Sequence, residues 1–164
     1  VGSEMCIRDR VKAIEYILKV AGSDGLSQHS SVLDIGTGSG ILAIAAVCLG
    51  IQKGLGTDID PCAISEAAEN IALNNLENRI VISDRQLDSI DQVFTMVIAN
   101  LRYPSLKIFY PQISQLTESG GWVVLSGFRL NERNDLMDLY AAKHFECTWT
   151  TDELEWAAAV LKKI

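Results

Sequence analysis

The chain has 164 residues, enough for one domain with a full-sized hydrophobic core. Hydrophobic residues make up 48% of it and charged residues 21%, which is ordinary for a soluble globular protein. The net charge of −7, with no block of basic residues, gives nucleic-acid binding no electrostatic support. No apolar run approaches the ~20 residues of a membrane span. Direct binding to nucleic acid and insertion into a membrane are therefore not expected.

Cysteine and histidine usage gives no sign of a metal site. None of the four cysteines belongs to a C-x-x-C pair, and the two histidines are far apart in the sequence. Cysteines scattered over apolar segments are typical of small buried residues, so neither a metal site nor a disulfide is predicted. There is no signal peptide, and a reduced, cytoplasmic setting fits best.

The N-terminal region begins irregularly. Residues 1–10 match no periodic template and start with valine rather than methionine, which predicts a non-native or disordered leader on an N-terminally truncated fragment. From Val11 onward, apolar residues recur at helical spacing, so a helix is expected that ends at Gly22 and Gly25. We assign residues 11–164 to a single domain.

A glycine-rich loop follows the first predicted strand, Val32 to Ile35, and precedes an apolar helix over residues 39–49. Its glycines allow a tight turn and close approach of the backbone to a ligand, and the helix N-terminus adds unpaired N–H groups. A dinucleotide fingerprint, Gly-x-Gly-x-x-Gly, would need its third glycine at position 41, which is isoleucine. The loop instead reads Asp-x-Gly-x-Gly-x-Gly, which resembles motif I of the S-adenosylmethionine-dependent methyltransferases.

Further along the chain, predicted strands and helices alternate. After the first strand, strands are expected over residues 53–58, 79–83, 92–100, 122–126, 145–150 and 155–161, with helices over 61–74, 106–117 and 131–143 between the earlier ones. Asp60 followed by Pro61 is a typical helix start, with a carboxylate cap before a proline. Alternation predicts an α/β fold with a mostly parallel sheet and helices on both faces, and the short final connection predicts an antiparallel last strand.

Polar residues at the ends of strands are the candidate site residues, because ligands of open parallel sheets bind outside the carboxyl ends of the strands. Asp58, after the second strand, is placed to accept hydrogen bonds from ribose hydroxyls, although a solvated loop acid would look the same. Asp84, after the third strand, could contact an adenine amino group or be a plain exposed acid. Asn100 ends an almost wholly apolar fourth strand, where it is either functional or a turn residue.

Several segments together resemble the ribosomal protein L11 lysine methyltransferases. They are Leu33 to Ala46, Gly56 to Pro61, Ala99-Asn100-Leu101, Leu125-Ser126-Gly127 and Glu155-Trp156. The resemblance implies a Rossmann-like class I methyltransferase fold with a seven-stranded sheet, S-adenosylmethionine as methyl donor, and amino groups of a ribosomal protein as acceptor. A monomer is favoured. Asn100 is the predicted catalytic residue, orienting a neutral amine, and the predicted cofactor-binding residues are Asp34, Gly36, Thr37, Gly38, Ser39, Gly40, Asp58, Ile59, Asp84 and Asn100.

Two features of that family have no counterpart here. The family carries an N-terminal recognition domain and a Phe-Gly-Thr-Gly-x-His-x-Thr-Thr loop, and nothing in residues 1–31 matches either. One alternative is an RNA or small-molecule N-methyltransferase, but Asn100-Leu101-Arg102-Tyr103 departs from the Asn-Pro-Pro-Tyr common in such enzymes. A second alternative is a cofactor-binding domain without activity of its own, since the fold alone does not guarantee function.

Overall fold

The computed structural model describes residues 5–25 and 29–164. Seven strands form one sheet: β1 (Ser31–Ile35), β2 (Lys53–Thr57), β3 (Ile80–Ser83), β4 (Phe94–Asn100), β5 (Thr117–Arg129), β6 (Phe145–Glu153) and β7 (Trp156–Lys163). The α-helices are α1 (Met5–Gly25), α2 (Ile41–Cys48), α3 (Pro61–Leu73), α4 (Tyr103–Ile108), α5 (Tyr110–Leu116) and α6 (Arg133–Ala141).

The sheet has the strand order β3-β2-β1-β4-β5-β7-β6. Neighbours from β3 to β5 pair in parallel, whereas β7 runs antiparallel to both β5 and β6. The predicted fold class, including the antiparallel last strand, is confirmed. The order reverses between β1 and β4, which places the topological switch point, the usual ligand crevice of such sheets, beside the glycine loop.

Two hydrophobic cores cover the two faces of the sheet. On one face, buried Ile14 and Ile17 of α1 pack with residues of α2 and α3 against the strands. On the other face, α4, α5 and α6 pack against the sheet, with Leu136 and Tyr140 of α6 fully buried. Strand β4 contributes side chains to both cores, as its continuous apolar sequence predicts for a central strand.

The first helix is longer than predicted. It begins at Met5, not Val11, and runs to Gly25 without stopping at Gly22. Arg10, which no apolar pattern marks, is only 4% exposed, so the helix is anchored by a charged residue that hydrophobic periodicity does not detect. The assignment of residues 1–10 to a leader outside the domain stays a prediction, and residues 1–4 lie outside the described residues.

The helix predicted over residues 106–117 is also wrong. The structure has two short helices, α4 and α5, which meet at Phe109. Pro111 causes the break, because it has no N–H to donate and its ring collides with the carbonyl group four residues earlier. The predicted start at Asp60-Pro61 is confirmed: the Asp60 carboxylate accepts a hydrogen bond from the Cys62 N–H at 2.9 Å and caps α3.

Two further predictions need correction. Strand β5 begins at Thr117 rather than Trp122, with an irregularity between the pairs Phe94–Thr117 and Met96–Trp122 that contains the two consecutive glycines. The cysteines whose side chains are described, Cys48, Cys62 and Cys147, are free and exposed rather than buried. Within the described residues, no helix is long and apolar enough to cross a membrane.

Candidate functional site

The glycine loop connects β1 to α2 at the carboxyl edge of the sheet, the edge where the parallel strands end. Gly36, Gly38 and Gly40 all have positive φ angles, of 67°, 55° and 80°. A Cβ at Gly36 would lie 2.9 Å from Leu101, whereas a Cβ at Gly38 would meet nothing within 4 Å. Glycine is therefore needed at position 38 for its left-handed backbone conformation. It also leaves open space above the loop, as close approach of a ligand requires.

Asp34, the residue before the last of β1, supports this loop from inside the protein. Its side chain is 1% exposed, and its carboxylate accepts a hydrogen bond of 2.7 Å from the Thr37 hydroxyl. Burial raises the pKa of Asp34 to about 6, partly offset by the hydrogen bond from Thr37 and by the charge of Arg10. Asp34 therefore supports the loop through Thr37, and its contact with the cofactor stays a prediction.

The raised pKa of Asp34 predicts how stability depends on pH. The folded chain holds this proton up to about pH 6 and the unfolded chain loses it near 3.8, so stability falls as pH rises between these values. The loss should reach about 3 kcal/mol above pH 6. We expect denaturant unfolding to show that Asp34→Asn shifts the free energy of unfolding, relative to wild type, in the stabilising direction by about 2–3 kcal/mol more at pH 7 than at pH 4. Equal differences at the two pH values would contradict the prediction.

Asp58 follows β2 and faces the same loop. One of its carboxylate oxygens accepts the Gly38 N–H at 2.9 Å, and the other accepts the Asp60 N–H at 3.0 Å. Each carboxylate oxygen has a further lone pair, so the half-buried group can still accept two hydrogen bonds from a ligand. Because Asp60 is used as the cap of α3, Asp58 is the carboxylate of this pair that is available to a ligand.

A cavity of about 520 Å³ opens at the carboxyl edge beside Asp58, and we call it the edge cavity. It is lined by Ile35, Gly36, Thr57, Asp58, Ile59, Arg85, Gln86, Leu87, Asp88, Leu101, Ser105, Phe109 and Gln112. Apolar side chains and a few carboxylate and amide groups are combined in it, as is typical of sites for small organic ligands. The site offers an open backbone loop, a carboxylate suited to a ribose and apolar walls. These features fit a nucleoside with an attached amino acid.

The structure brings together only part of the predicted set. Gly36, Asp58 and Ile59 line the edge cavity, while Thr37, Gly38, Ser39 and Gly40 form the adjoining loop and α2 N-terminus. Asp84 is exposed and is not among the lining residues. Strand β3 ends at Ser83, and the next carboxylate after Asp84, Asp88 in the 3-10 turn Leu87–Ser89, lines the cavity.

Asn100 lies at the end of central strand β4, directly opposite Ser126 of β5. Its amide oxygen accepts a hydrogen bond of 3.1 Å from the Ser126 hydroxyl, and the side chain is half-buried. A Cβ at Gly127 would lie 3.1 Å from that oxygen and 2.6 Å from the Leu101 carbonyl oxygen, so glycine is needed there. Asn100 is thus held beside the edge cavity, next to Leu101, which lines it.

Sequence reasoning missed the far wall of the cavity. Residues 85–88 follow β3 in irregular chain and a single 3-10 turn, where no periodic pattern exists. Ser105 of α4, Phe109 at the junction of the two helices and Gln112 of α5 also line the cavity, in a segment predicted as one continuous helix from residue 106 onward. The available signal was positional: each of these segments directly follows the carboxyl end of a parallel strand.

Comparison with known proteins decides the family. The family model described as ribosomal protein L11 methyltransferase (PrmA) matches residues 5–164. The chain belongs to this family. It is 40% identical over 134 residues to the ribosomal protein L11 methyltransferase of Pelobacter propionicus, covering 81% of this chain and 43% of that protein. A relative from Clostridium botulinum is 34% identical, with 98% of this chain and 47% of that protein covered.

A solved structure agrees with this assignment. The ribosomal protein L11 methylase of Lactobacillus delbrueckii subsp. bulgaricus superposes with a TM-score of 0.87 at 27% identity, covering 99% of this chain and 80% of that one. Family membership confirms the predicted resemblance, the class I methyltransferase fold and S-adenosylmethionine as the cofactor. The chain spans less than half the length of the curated relatives reported above.

Proposed function

We propose that this chain is a catalytic domain that transfers a methyl group from S-adenosylmethionine to amino groups of a protein, ribosomal protein L11, in the cytoplasm. The observation that carries the proposal is the position of Asp58 and Asn100 on either side of the glycine loop. Asp58 lies at the mouth of the edge cavity, and Asn100 ends the neighbouring central strand. The names of the relatives, which are ribosomal protein L11 methyltransferases, support the acceptor.

The residues that would hold the cofactor divide by chemistry. Asp58 is suited to the two ribose hydroxyls, and the open backbone at Gly38 is suited to the amino-acid part. The apolar side chains of Leu87 and Phe109 can cover the adenine ring. When bound, S-adenosylmethionine supplies a methyl group on a positively charged sulfur, so the protein has only to orient and align.

The acceptor amine must be neutral, because a protonated amine has no lone pair, and the reference pKa of lysine is about 10.4. The amide oxygen of Asn100 can accept an N–H from a neutral amine in addition to the hydroxyl of Ser126. Such a bond fixes the direction of the lone pair, and the released proton can pass to water. No histidine side chain lies among the residues that line the edge cavity.

Cofactor choice is the first test. Isothermal titration calorimetry of the 164-residue chain should show binding of S-adenosylmethionine and of its demethylated product, and none of NAD. The reasons are the glycine spacing of the loop and the Asp58 carboxylate, which the Gly38 N–H holds in place at 2.9 Å. Binding of NAD without any response to S-adenosylmethionine would overturn the proposal.

The acceptor is tested next with radiolabelled methyl donor. Ribosomal protein L11, a bulk RNA fraction and small amines are offered separately, and label should appear on L11, on lysine or the N-terminal amine after hydrolysis. Label on RNA or small amines alone would favour the alternative enzyme class. Cofactor binding without transfer to any acceptor would indicate a domain that is inactive on its own.

A further inference from the structure

The hairpin formed by β6 and β7 ends at the carboxyl edge of the sheet, where β5 separates β7 from β4, the strand of Asn100. Strand β4 ends at the pair Asn100–Ser126, but β5 continues for three residues to the pair Arg129–Trp156. A bulge at Gly127 interrupts this extension, so at about 3.3 Å per residue it reaches less than about 10 Å beyond the pair Asn100–Ser126. The hairpin tip at Leu154 and Glu155 is tied to it, because the Leu130 N–H donates to the Glu155 carbonyl oxygen at 2.9 Å.

Leu154 is an unusual residue at this tip, because the two-residue turn requires a left-handed backbone but not a large apolar side chain. Its side chain is 86% exposed, and its backbone is left-handed, with φ of 57°. A bulky residue in this region costs about 1–2 kcal/mol, and glycine or asparagine would relieve the cost. The sequence thus keeps a large apolar side chain in water at a position where it strains the backbone, a pattern that clusters at functional sites.

Leu154 borders a groove of about 400 Å³, which we call the hairpin groove. It is lined by Arg129, Leu130, Asn131, Leu154 and Glu155. Leu130 is a second large apolar side chain with substantial exposure, at 40%. An apolar pair in a concave site, at the same edge of the sheet as Asn100, is suited to the side chains of a segment that extends from the groove toward Asn100.

The charges around the hairpin groove select the kind of segment. Asp152, Glu153 and Glu155 are all exposed at the tip. The guanidinium of Arg129 is 3.8 Å from Glu155 and lies over the Trp156 ring at 5.8 Å, so its charge is opposed locally. Asp152 and Glu153 thus give the rim a negative potential, which attracts a lysine-bearing segment and repels an acidic one.

We propose that the hairpin groove docks the acceptor protein, with Leu154 contacting apolar residues of a lysine-rich segment whose target amine lies at Asn100. This inference rests on the proposed function and adds to it a specificity surface outside the edge cavity. None of the residues lining the hairpin groove lines the edge cavity. Changes there should therefore act on the acceptor and leave cofactor binding unaltered.

The test variant is Leu154→Gly, because it removes the side chain and relieves the backbone at once. Ribosomal protein L11 is the probe, first as methyl acceptor and then, fluorescently labelled, in anisotropy titrations with the demethylated cofactor present. The KM and Kd for L11 should rise about tenfold, as expected for a lost leucine contact. The value of kcat and the cofactor Kd should not change, and Tm should stay equal or rise.

Three matched controls separate contact from strain and charge. Asn75→Gly relieves the backbone of another left-handed residue, and Leu73→Ala removes another exposed leucine, one that is 80% exposed. Both residues lie at the C-terminal end of α3 and do not line the hairpin groove, so both variants should leave KM unchanged. Combining Asp152→Asn with Glu153→Gln should raise KM by about threefold at low salt and less at high salt. The same neutralisation at Glu69, exposed on α3, should have no effect.

Each result has a definite meaning. Unchanged KM and Kd in Leu154→Gly, with normal transfer by wild type, would overturn the docking inference and leave the proposed function intact. If wild type binds cofactor but does not methylate L11, the proposed function fails, and the anisotropy titration still tests the groove. A tenfold loss of L11 binding in Leu154→Gly would then support the groove, and absence of L11 binding by wild type would overturn it.

Discussion

Asp58→Ala is expected to weaken S-adenosylmethionine binding by roughly ten- to a hundredfold while the chain stays folded. A carboxylate that accepts two ribose hydroxyls makes charge-assisted hydrogen bonds, which contribute about 1.5–3 kcal/mol. The structure adds a second cause, because the same carboxylate accepts the Gly38 N–H at 2.9 Å and so fixes the loop. Calorimetric titration with the demethylated cofactor measures the change without turnover.

Two variants separate these causes. Asp60→Ala removes the cap of α3, which should lower the free energy of unfolding by about 0.5–2 kcal/mol and leave the cofactor Kd unchanged. Asp58→Asn keeps one oxygen that can accept the Gly38 N–H, so its Kd should fall between those of wild type and Asp58→Ala. If Asp60→Ala weakened binding and Asp58→Ala did not, the ribose-binding acid would have been assigned to the wrong residue.

The sequence predicts the sheet well because the relevant signals are local. Continuous apolar runs mark the central strands, and the apolar residues of β4 do enter both cores. The short connection between β6 and β7 likewise predicts their antiparallel pairing. The cap at Asp60 is legible for the same reason, since a cap and its N–H partner are two residues apart.

What the sequence could not supply depends on distant residues. Asp58 accepts the Gly38 N–H across 20 positions, and the irregular path of the chain after β3 brings Asp88 rather than Asp84 to the cavity. Arg10 illustrates the same limit in the fold, because a buried arginine breaks the apolar pattern that periodicity needs. The left-handed Leu154 also escapes local reasoning, which assigns such positions to glycine or asparagine.

Asn100→Ala is expected to lower kcat for an amine acceptor by about a hundredfold or more and to leave the cofactor Kd unchanged. The residue ends the central strand beside the glycine loop, whereas Asp58 lies two strands away, at the end of β2. Its amide oxygen has a spare lone pair for an amine N–H, and losing it removes orientation but no contact to the ribose. Calorimetry measures the cofactor Kd, and single-turnover transfer to a lysine peptide measures the rate of methyl transfer separately.

Ser126→Ala is the matched comparison, because it deletes the hydroxyl that donates to the Asn100 oxygen at 3.1 Å and keeps the amide itself. Loss of that bond frees the amide to rotate, so kcat should fall by less than in Asn100→Ala, about tenfold, with the cofactor Kd again constant. Asn100→Asp keeps the oxygen but adds a charge that holds the amine protonated, so its rate should recover as pH rises. Normal turnover in Asn100→Ala, or a rate loss that only follows lost cofactor binding, would make Asn100 a turn residue and remove the main support for transfer to an amine.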